Sequence, residues 1–238
     1  MVKSTDKFYP TSSREVKTVN PHILLLYGPP KIGKTTMLSK LDGCLIVDTE
    51  KGSHMIKGLI AEVNSYEEFK SFIAEAYEHR KEWGITERYL AVDTIDKLVD
   101  WIEQEIVANH NNEHQQKIEY FGDLAYGKGY AIQRDKITKI INHLEMITKY
   151  IIIIGHRKLG STDEAGIVSP QSLDLTGKLK NMLMSRSDAI GYVFRDDDEN
   201  LKISFKSDGT LEAGSRCKHL RGKVVDFEWN NIYINEGD

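Results

Sequence analysis

Hydrophobic and polar residues alternate along the chain in blocks that predict strands and helices in turn. Apolar runs too short for a long helix predict buried strands at 22–27, Cys44–Asp48, Tyr89–Asp93 and 150–154. Between these runs, apolar residues recur at helical spacing and predict helices at 35–41, from Ser65, from Ile95 to about Asn109, and at 131–149. This alternation is typical of a mostly parallel sheet covered by helices on both faces, so we expect an α/β fold.

The last fifty residues have a different pattern. Short apolar stretches at 189–194, 201–206 and around 232–234 are separated by polar turns at 196–200 and at Asp208-Gly209. Short strands joined by such turns predict C-terminal antiparallel hairpins that extend the sheet. No linker, repeat or low-complexity tract interrupts the chain, and we therefore expect an N-terminal extension, 1–20, followed by one domain, 21–238.

Composition and charge exclude several classes of protein. No apolar run approaches the roughly 20 residues of a membrane-spanning helix, and the polar first ten residues do not resemble an export signal. Two distant cysteines cannot form a disulfide framework, so we expect a cytoplasmic protein without a membrane partner. The net charge of -4 gives no general attraction to nucleic acid, and any contact must be local. One basic stretch contains Arg216, Lys218, His219, Arg221 and Lys223.

The clearest chemical signal is the string GPPKIGKTT, which matches the phosphate-loop pattern G-x-x-x-x-G-K-[ST]. It follows a predicted buried strand and opens a predicted helix, as the motif requires. Backbone N–H groups of such a loop surround phosphate oxygens, the lysine reaches the β and γ phosphates, and the hydroxyl binds Mg²⁺. The predicted nucleotide cradle consists of Gly28, Pro29, Pro30, Lys31, Ile32, Gly33, Lys34, Thr35 and Thr36.

Two acidic residues stand where a nucleotide-hydrolysing site needs them. Asp93 ends the strand Tyr89–Asp93 and is expected to hold Mg²⁺ together with Thr35; a helix-capping role is the alternative. Glu50 follows the second strand, at the edge of the sheet where ligands bind, and is the candidate for activating water. An ordinary loop glutamate is the alternative for Glu50, and Asp48 is its local competitor.

The order of these features resembles the RecA-like ATPase core. The segments DTIDKL, GDLAYGKGY, IIIIGHRK, LTGKLK and EAGSR together resemble, more closely, the minimal RecA-core ATPases of bacteriophages. These are the Sak-type single-strand annealing and recombination proteins, often labelled AAA family ATPases. The resemblance covers roughly 23–221 and implies a RecA-like P-loop fold with ATP and Mg²⁺ as cofactors.

The resemblance also assigns roles to single residues. It implies nucleotide and metal binding by Lys34 and Thr35, water activation by Glu50 and metal binding by Asp93. His156 stands where RecA has a glutamine that senses the γ-phosphate; a buried structural histidine is the alternative. Arg216 follows the late hairpin, where RecA-like proteins place cations that reach a neighbouring subunit's nucleotide. DNA contact and plain solvation are the alternatives for Arg216, and a homo-oligomer is implied.

Two segments, 109–129 and 157–177, match the DNA-facing loops of RecA in position. Aromatic rings can stack on bases and cations can contact phosphate groups, although aromatic residues under a long loop also pack as core. In the second segment Asp163, Glu164 and Asp174 offset the positive charge. The candidate DNA-binding residues are Tyr120, Phe121, Tyr126, Lys128, Arg157, Lys158 and Lys178.

The sequence thus predicts an ATPase that acts on single-stranded DNA in recombination or annealing, with a single-strand binding protein as a further candidate partner. Phe8 and Tyr9 are a candidate anchor for a neighbouring subunit. There are two alternatives. One is a DNA-independent P-loop kinase, and the other is a loader module that binds ATP without hydrolysing it. His110 and His114 lack the companion ligands of a zinc site.

Overall fold

The computed structural model describes residues 18–162 and 169–235. Within these ranges the strands are β1 (Ile23–Gly28), β2 (Cys44–Asp48), β3 (Leu59–Glu62), β4 (Tyr89–Asp93), β5 (Tyr150–Lys158), β6 (Ser172–Leu173), β7 (Ala189–Arg195), β8 (Leu201–Ser204), β9 (Gly214–Ser215) and β10 (Val224–Asp226). The helices are α1 (Lys34–Leu38), α2 (Tyr66–His79), α3 (Ile95–Glu113), α4 (Lys128–Ile147), α5 (Gly177–Arg186) and α6 (Trp229–Ile232).

The strands form a mostly parallel sheet in the order β10-β8-β7-β1-β5-β4-β2-β3. All pairings from β7 to β3 along this order are parallel, whereas β8 is antiparallel to both β7 and β10. Strand β5 lies between β1 and β4, and the short strands β6 and β9 pair with β5 and β7. The predicted fold class, a mostly parallel sheet flanked by helices with antiparallel C-terminal strands, is confirmed.

Side chains alternate between the two faces of the sheet and build a core on each. Along β1, Leu25 and Tyr27 pack with α2, α3, α4 and α5, whereas Leu24 and Leu26 pack with α1 and α6. Because β1 is covered on both faces, all six of its residues are buried, which explains its uninterrupted apolar sequence. Within the described ranges, no helix combines the length and hydropathy needed to cross a membrane.

The predicted elements agree with the structure best where several signals coincide. The Ser65 hydroxyl caps α2 by accepting the Glu68 N–H at 3.1 Å, as the capping pattern predicts. Helix α1 is shorter than predicted, α3 continues to Glu113, and α4 begins three residues earlier than predicted. The strand predicted around 232–234 is wrong, because α6 ends at Ile232 and the last strand is Val224–Asp226. Phe8 and Tyr9 lie outside the described residues.

A hydrogen bond between a buried glutamine and a half-buried glutamate joins α3 to α4. Gln133, on α4, is almost completely buried and donates a hydrogen bond from Nε2 to Glu103 Oε1 at 2.6 Å. Burial, reinforced by the nearby Asp100 carboxylate, raises the pKa of Glu103 from 4.5 to about 7, against the effect of the Gln133 hydrogen bond. The folded protein therefore binds this proton more tightly than the unfolded chain does, and stability should fall as pH rises from 4.5 to about 7.

We expect Glu103→Gln to be more stable than the wild type by about 1–2 kcal/mol at pH 8, because a neutral amide avoids the cost of a half-buried charge, a cost that solvent screening reduces. The gain should shrink as the pH falls and vanish below the unfolded pKa of glutamate. Urea unfolding of the wild type and the variant at pH 8 and pH 4.5 measures the difference in unfolding free energy at each pH. Glu113→Gln, at the exposed end of α3, is the control. A gain that does not change with pH would contradict the interpretation.

Candidate nucleotide-binding site

The candidate site residues meet at one edge of the sheet because they end parallel strands. Gly28 ends β1 and pairs in register with His156 of β5. Asp48 ends β2 and is opposite Asp93, which ends β4. The carboxyl ends of parallel strands are the edge at which α/β folds bind ligands. Residues separated by up to 126 positions in the sequence (30 to 156) therefore lie around one cavity of about 650 Å³.

The loop from β1 to α1 has the backbone geometry of a phosphate cradle. Gly33, immediately before α1, has a φ of 112°, a left-handed value that favours glycine. At Gly28, a Cβ atom would lie 2.5 Å from the Val193 carbonyl oxygen of the neighbouring strand β7, so a larger residue would not fit. The first N–H groups of a helix have no partner within the helix. The loop therefore directs N–H donors and the positive end of α1 into the cavity.

The Lys34 ammonium group lies beneath this loop. It donates hydrogen bonds to the carbonyl oxygens of Gly28, at 3.2 Å, and Pro29, at 2.8 Å, and the residue is only 6% exposed. Burial lowers the pKa of Lys34, while the carboxylates of Asp93, Asp96 and Glu50 act in the opposite direction. The arrangement holds a cation within the loop, where it can interact with phosphate oxygens.

Thr35 and Asp93 form a pair of oxygen ligands suited to Mg²⁺. The Thr35 hydroxyl donates to Asp93 Oδ2 at 2.5 Å. Burial raises the pKa of Asp93 to about 6, against the effect of the Thr35 hydrogen bond. Hydroxyl and carboxylate oxygens are hard donors of the kind Mg²⁺ takes. Thr94, rather than Asp93, is the N-cap residue of α3, so the alternative capping role of Asp93 has no support in the geometry.

Glu50 lines the same cavity, and its competitor Asp48 does not. Glu50 Oε1 accepts a hydrogen bond from the Thr94 hydroxyl at 2.8 Å, and its side chain is 39% exposed. The Asp48 carboxylate instead accepts the N–H groups of Glu50, Gly52 and Ser53. Burial acts to raise the pKa of Asp48, but the Ser53 side chain and these N–H bonds together hold the pKa below its ordinary value. Asp48 shapes the loop that carries Glu50.

His156 lies between two carboxylates. Its Nδ1 is 3.5 Å from Asp96 Oδ2 and 3.8 Å from Glu50 Oε1. The contact with Asp96 raises the pKa of His156, and burial opposes this effect. Asp96 lies in the first turn of α3, and the packing of α3 against β5 places its carboxylate beside His156. Thr94 and Asp96 are therefore the site residues that sequence reasoning missed.

A phosphate loop, a pair of oxygen donors suited to Mg²⁺ and a nearby carboxylate indicate a nucleotide-binding site, and a family comparison agrees. A family model described as an AAA domain matches residues 20–217, which is most of the chain. The chain belongs to the AAA domain family. Among curated proteins no match was found. Among solved structures, the chain is similar to the crystal structure of the RadB recombinase. The match covers 87% of each of the two chains, with 14% sequence identity and a TM-score of 0.44. That likeness is too distant to transfer any role.

A second cavity of this AAA domain, of about 800 Å³, adjoins the phosphate loop on the other side of α1. Lys31, Gly33 and Thr36 line both cavities, so the loop lies between them. The far wall comes from the C-terminal strands and α6. It combines the rings of Phe227 and Trp229 with the polar side chains of Arg195, Asn200 and Asn230. Phe227 and Trp229 are only 3% and 8% exposed, so the cleft offers mainly hydrogen-bonding groups beside the cradle.

The structure removes two residues from the candidates for DNA binding. Phe121 is 1% exposed and packs edge-on against Tyr120 and Tyr130, so it cannot stack on a base. Arg157 donates to Gln171 Oε1 at 3.3 Å and to the Tyr192 hydroxyl at 3.0 Å, which fixes its guanidinium group within the protein. Both assignments are corrected: these residues belong to the core and to the polar support of β5.

The other DNA candidates remain exposed, and two of them line one groove of about 410 Å³. Tyr126, whose ring is fully exposed, and Lys178 lie on opposite sides of this groove, together with Arg134. The groove is formed where α4 and α5 begin. Tyr120, Lys128 and Lys158 are exposed outside it, whereas Asp163 and Glu164 lie outside the described residues. The two predicted DNA-facing segments therefore meet at one place.

Arg216 lies at the opposite edge of the sheet from the phosphate loop. It follows β9, which pairs with the beginning of β7, and its Nη1 is 3.2 Å from Asp188 Oδ1. The Asp188 carboxylate also accepts the N–H groups of His22 and Ile23, where β1 begins. Arg216 consequently cannot reach the nucleotide of its own subunit. Its action on a neighbour's nucleotide stays a prediction.

Proposed function

We propose that this AAA domain hydrolyses Mg²⁺–ATP and uses the nucleotide cycle to act on single-stranded DNA in recombination or annealing. The proposal includes the finer assignment that the sequence suggests, a phage-type minimal RecA-core protein of the Sak kind working in the host cytoplasm. Its nucleotide would lie near a subunit interface, where Arg216 of a neighbour could contact it.

The observation that carries the ATPase part is the 2.5 Å contact between the Thr35 hydroxyl and Asp93, in the cavity that Lys34 and Glu50 also line. Thr35 and Asp93 would hold Mg²⁺, which when bound supplies positive charge beside the β and γ phosphates. The loop N–H groups and Lys34 orient the phosphates and stabilise charge on the γ-phosphoryl group. Glu50, partly exposed within the same cavity, accepts a proton from the attacking water.

The cleft between α1 and α6 supports a place for the nucleoside. A nucleotide whose phosphates lie in the loop 28–36 has its base on one side of α1, and the 800 Å³ cavity opens there. Asn200 and Asn230 supply donors and acceptors that can distinguish bases, while Phe227 and Trp229 are buried in the wall behind them.

The groove that contains Tyr126 and Lys178 supports the DNA part. An exposed tyrosine can stack on a base, while Lys178, Arg134 and the first turns of α4 and α5 attract phosphate. The groove is also connected to the nucleotide site. The His156 carbonyl accepts the Asp174 N–H at 3.0 Å, and only two residues lie between Asp174 and Gly177, where α5 begins. A shift of His156 would therefore move the wall of the groove.

We expect Tyr126→Ala to weaken binding of a single-stranded oligonucleotide about tenfold, the effect of losing one stacked base. Lys178→Ala should weaken binding and reduce the salt dependence of log K by about 0.7, as expected for one lost phosphate contact on a single strand. Fluorescence anisotropy with a labelled oligonucleotide, in a non-hydrolysable ATP analogue and in ADP, measures both effects. Wild-type affinity should be higher with the ATP analogue.

Tyr77→Ala is the matched control, because Tyr77 is an exposed tyrosine on α2 that does not line the groove. It should bind DNA like the wild type. If DNA binding is absent at every salt concentration and with both nucleotides, the recombination proposal is wrong and a DNA-independent P-loop enzyme becomes the better hypothesis. Equal losses for Tyr77→Ala and Tyr126→Ala would exclude the groove as the binding site.

A further inference from the structure

Asp96 makes an unusual set of contacts for a residue in the first turn of a helix. Its Oδ2 accepts the His156 backbone N–H at 3.0 Å and lies 3.5 Å from His156 Nδ1. Its other oxygen, Oδ1, is buried without a hydrogen-bond partner among the described residues. A carboxylate with one unsatisfied oxygen costs stability, so helix formation alone does not explain aspartate at this position.

The packing around Asp96 holds its carboxylate against the end of β5. Gly155, which precedes His156, has no room for a side chain: a Cβ there would lie 2.3 Å from Leu173 and 3.4 Å from Asp96 Oδ2. Strand β6 contributes Leu173, and the next residue, Asp174, donates its N–H to the His156 carbonyl. The His156 backbone is therefore held on one side by Asp96 and on the other by the segment that leads to α5.

A histidine that contacts phosphate needs an orienting partner. The two nitrogens of an imidazole differ, and a carboxylate beside one of them fixes both the ring orientation and the site of the proton. Asp96 lies beside Nδ1, which leaves Nε2 for a ligand. Glu50 is farther from the same nitrogen and already accepts the Thr94 hydroxyl, so Asp96 is the better placed of the two carboxylates.

We propose that Asp96 is a positioning residue that fixes His156 for contact with the γ-phosphate of ATP. Asp96 does not touch the nucleotide; it acts by orienting the His156 ring. Its bond to the His156 backbone N–H supports the strand whichever side chain stands at 156, and the amide oxygen of Asp96→Asn can keep that bond. The assignment rests on the proposed function in one respect, that the cavity beside His156 receives a nucleoside triphosphate. It predicts that Asp96 matters only while residue 156 is a histidine, because a glutamine side chain has no ring to orient.

A double-mutant cycle tests this dependence. We expect Asp96→Asn to lower kcat for ATP about tenfold and to raise KM several-fold, since the contact with the γ-phosphate is made in bound ATP and strengthens as charge develops there. In the His156→Gln background the same substitution should lower kcat less than twofold. Asp100→Asn, one turn later on α3 and without a contact to His156, should match the wild type. Equal fold-losses in the two backgrounds, or no loss in either, would overturn the proposal.

A binding measurement separates this proposal from the proposed function. The ratio of the Kd for ADP to the Kd for a non-hydrolysable ATP analogue reports contact with the γ-phosphate without turnover. Asp96→Asn should reduce this ratio several-fold, and only when residue 156 is histidine. If the wild type binds ATP without hydrolysing it, the ATPase proposal fails. The ratio of the two Kd values still decides the role of Asp96 in that case. A ratio that Asp96→Asn leaves unchanged contradicts the positioning role.

Discussion

Replacing Lys34 with alanine should reduce ATP turnover by about 10³-fold or more, to background. A single preorganised donor to a developing anion contributes about 10²–10³ in kcat, and a full charge next to the transferred phosphoryl group contributes at least as much. Lys34 also donates to the carbonyl groups of Gly28 and Pro29, so its loss affects the loop itself. Phosphate release at saturating Mg²⁺–ATP measures the effect.

Lys139→Ala is the control for this substitution. Lys139 is an exposed lysine on α4 that pairs with Asp135, and it lies outside the nucleotide cavity. It should hydrolyse ATP at the wild-type rate. If Lys34→Ala keeps more than about a tenth of wild-type turnover, nucleotide is hydrolysed elsewhere and the assignment of the cradle is wrong.

Glu50→Gln should bind ATP with near wild-type affinity but turn it over about 10²–10³-fold more slowly. The amide oxygen can still accept the Thr94 hydroxyl, so the loop geometry is kept, while the ability to accept a proton from water is lost. Single-turnover kinetics together with equilibrium nucleotide binding separate the two quantities.

Glu62→Gln is the matched control for Glu50, because Glu62 ends β3 at the same edge of the sheet but does not line the cavity. Its turnover should be unchanged. Wild-type turnover in Glu50→Gln would remove Glu50 from the water-activating role. A loss of ATP binding would instead show that Glu50 mainly supports the cradle.

The sequence predicts the fold best where the local signals are strong. The buried strands of the parallel sheet were predictable because they are covered on both faces and therefore apolar throughout. Strand β3 was missed because it is a four-residue edge strand whose end residues are exposed. Helix α5 was missed because its only buried residues are Leu179 and Leu183. Helix α6 depends on a distant contact, the hydrogen bond from the Trp229 ring to the Met37 carbonyl.

In the candidate site, too, features set by local sequence were predictable and features set by contacts between distant elements were not. The phosphate loop is contiguous in sequence, and Asp93 and Glu50 could be placed because each follows a predictable strand. The burial of Phe121 and the bonds of Arg157 to Gln171 and Tyr192 arise only when distant elements pack together. The role of Asp96 likewise depends on the register of α3 against β5, which no local pattern in the sequence contains.

The central claim is tested most directly by the rate of Mg²⁺-dependent ATP hydrolysis. The rate is measured with and without single-stranded DNA, for the wild type and for Lys34→Ala in parallel. We predict that the wild type releases phosphate well above the Lys34→Ala background, that chelation of Mg²⁺ stops the reaction, and that single-stranded DNA raises the rate several-fold. Phosphate release no faster than that of Lys34→Ala, with or without DNA, would contradict the account.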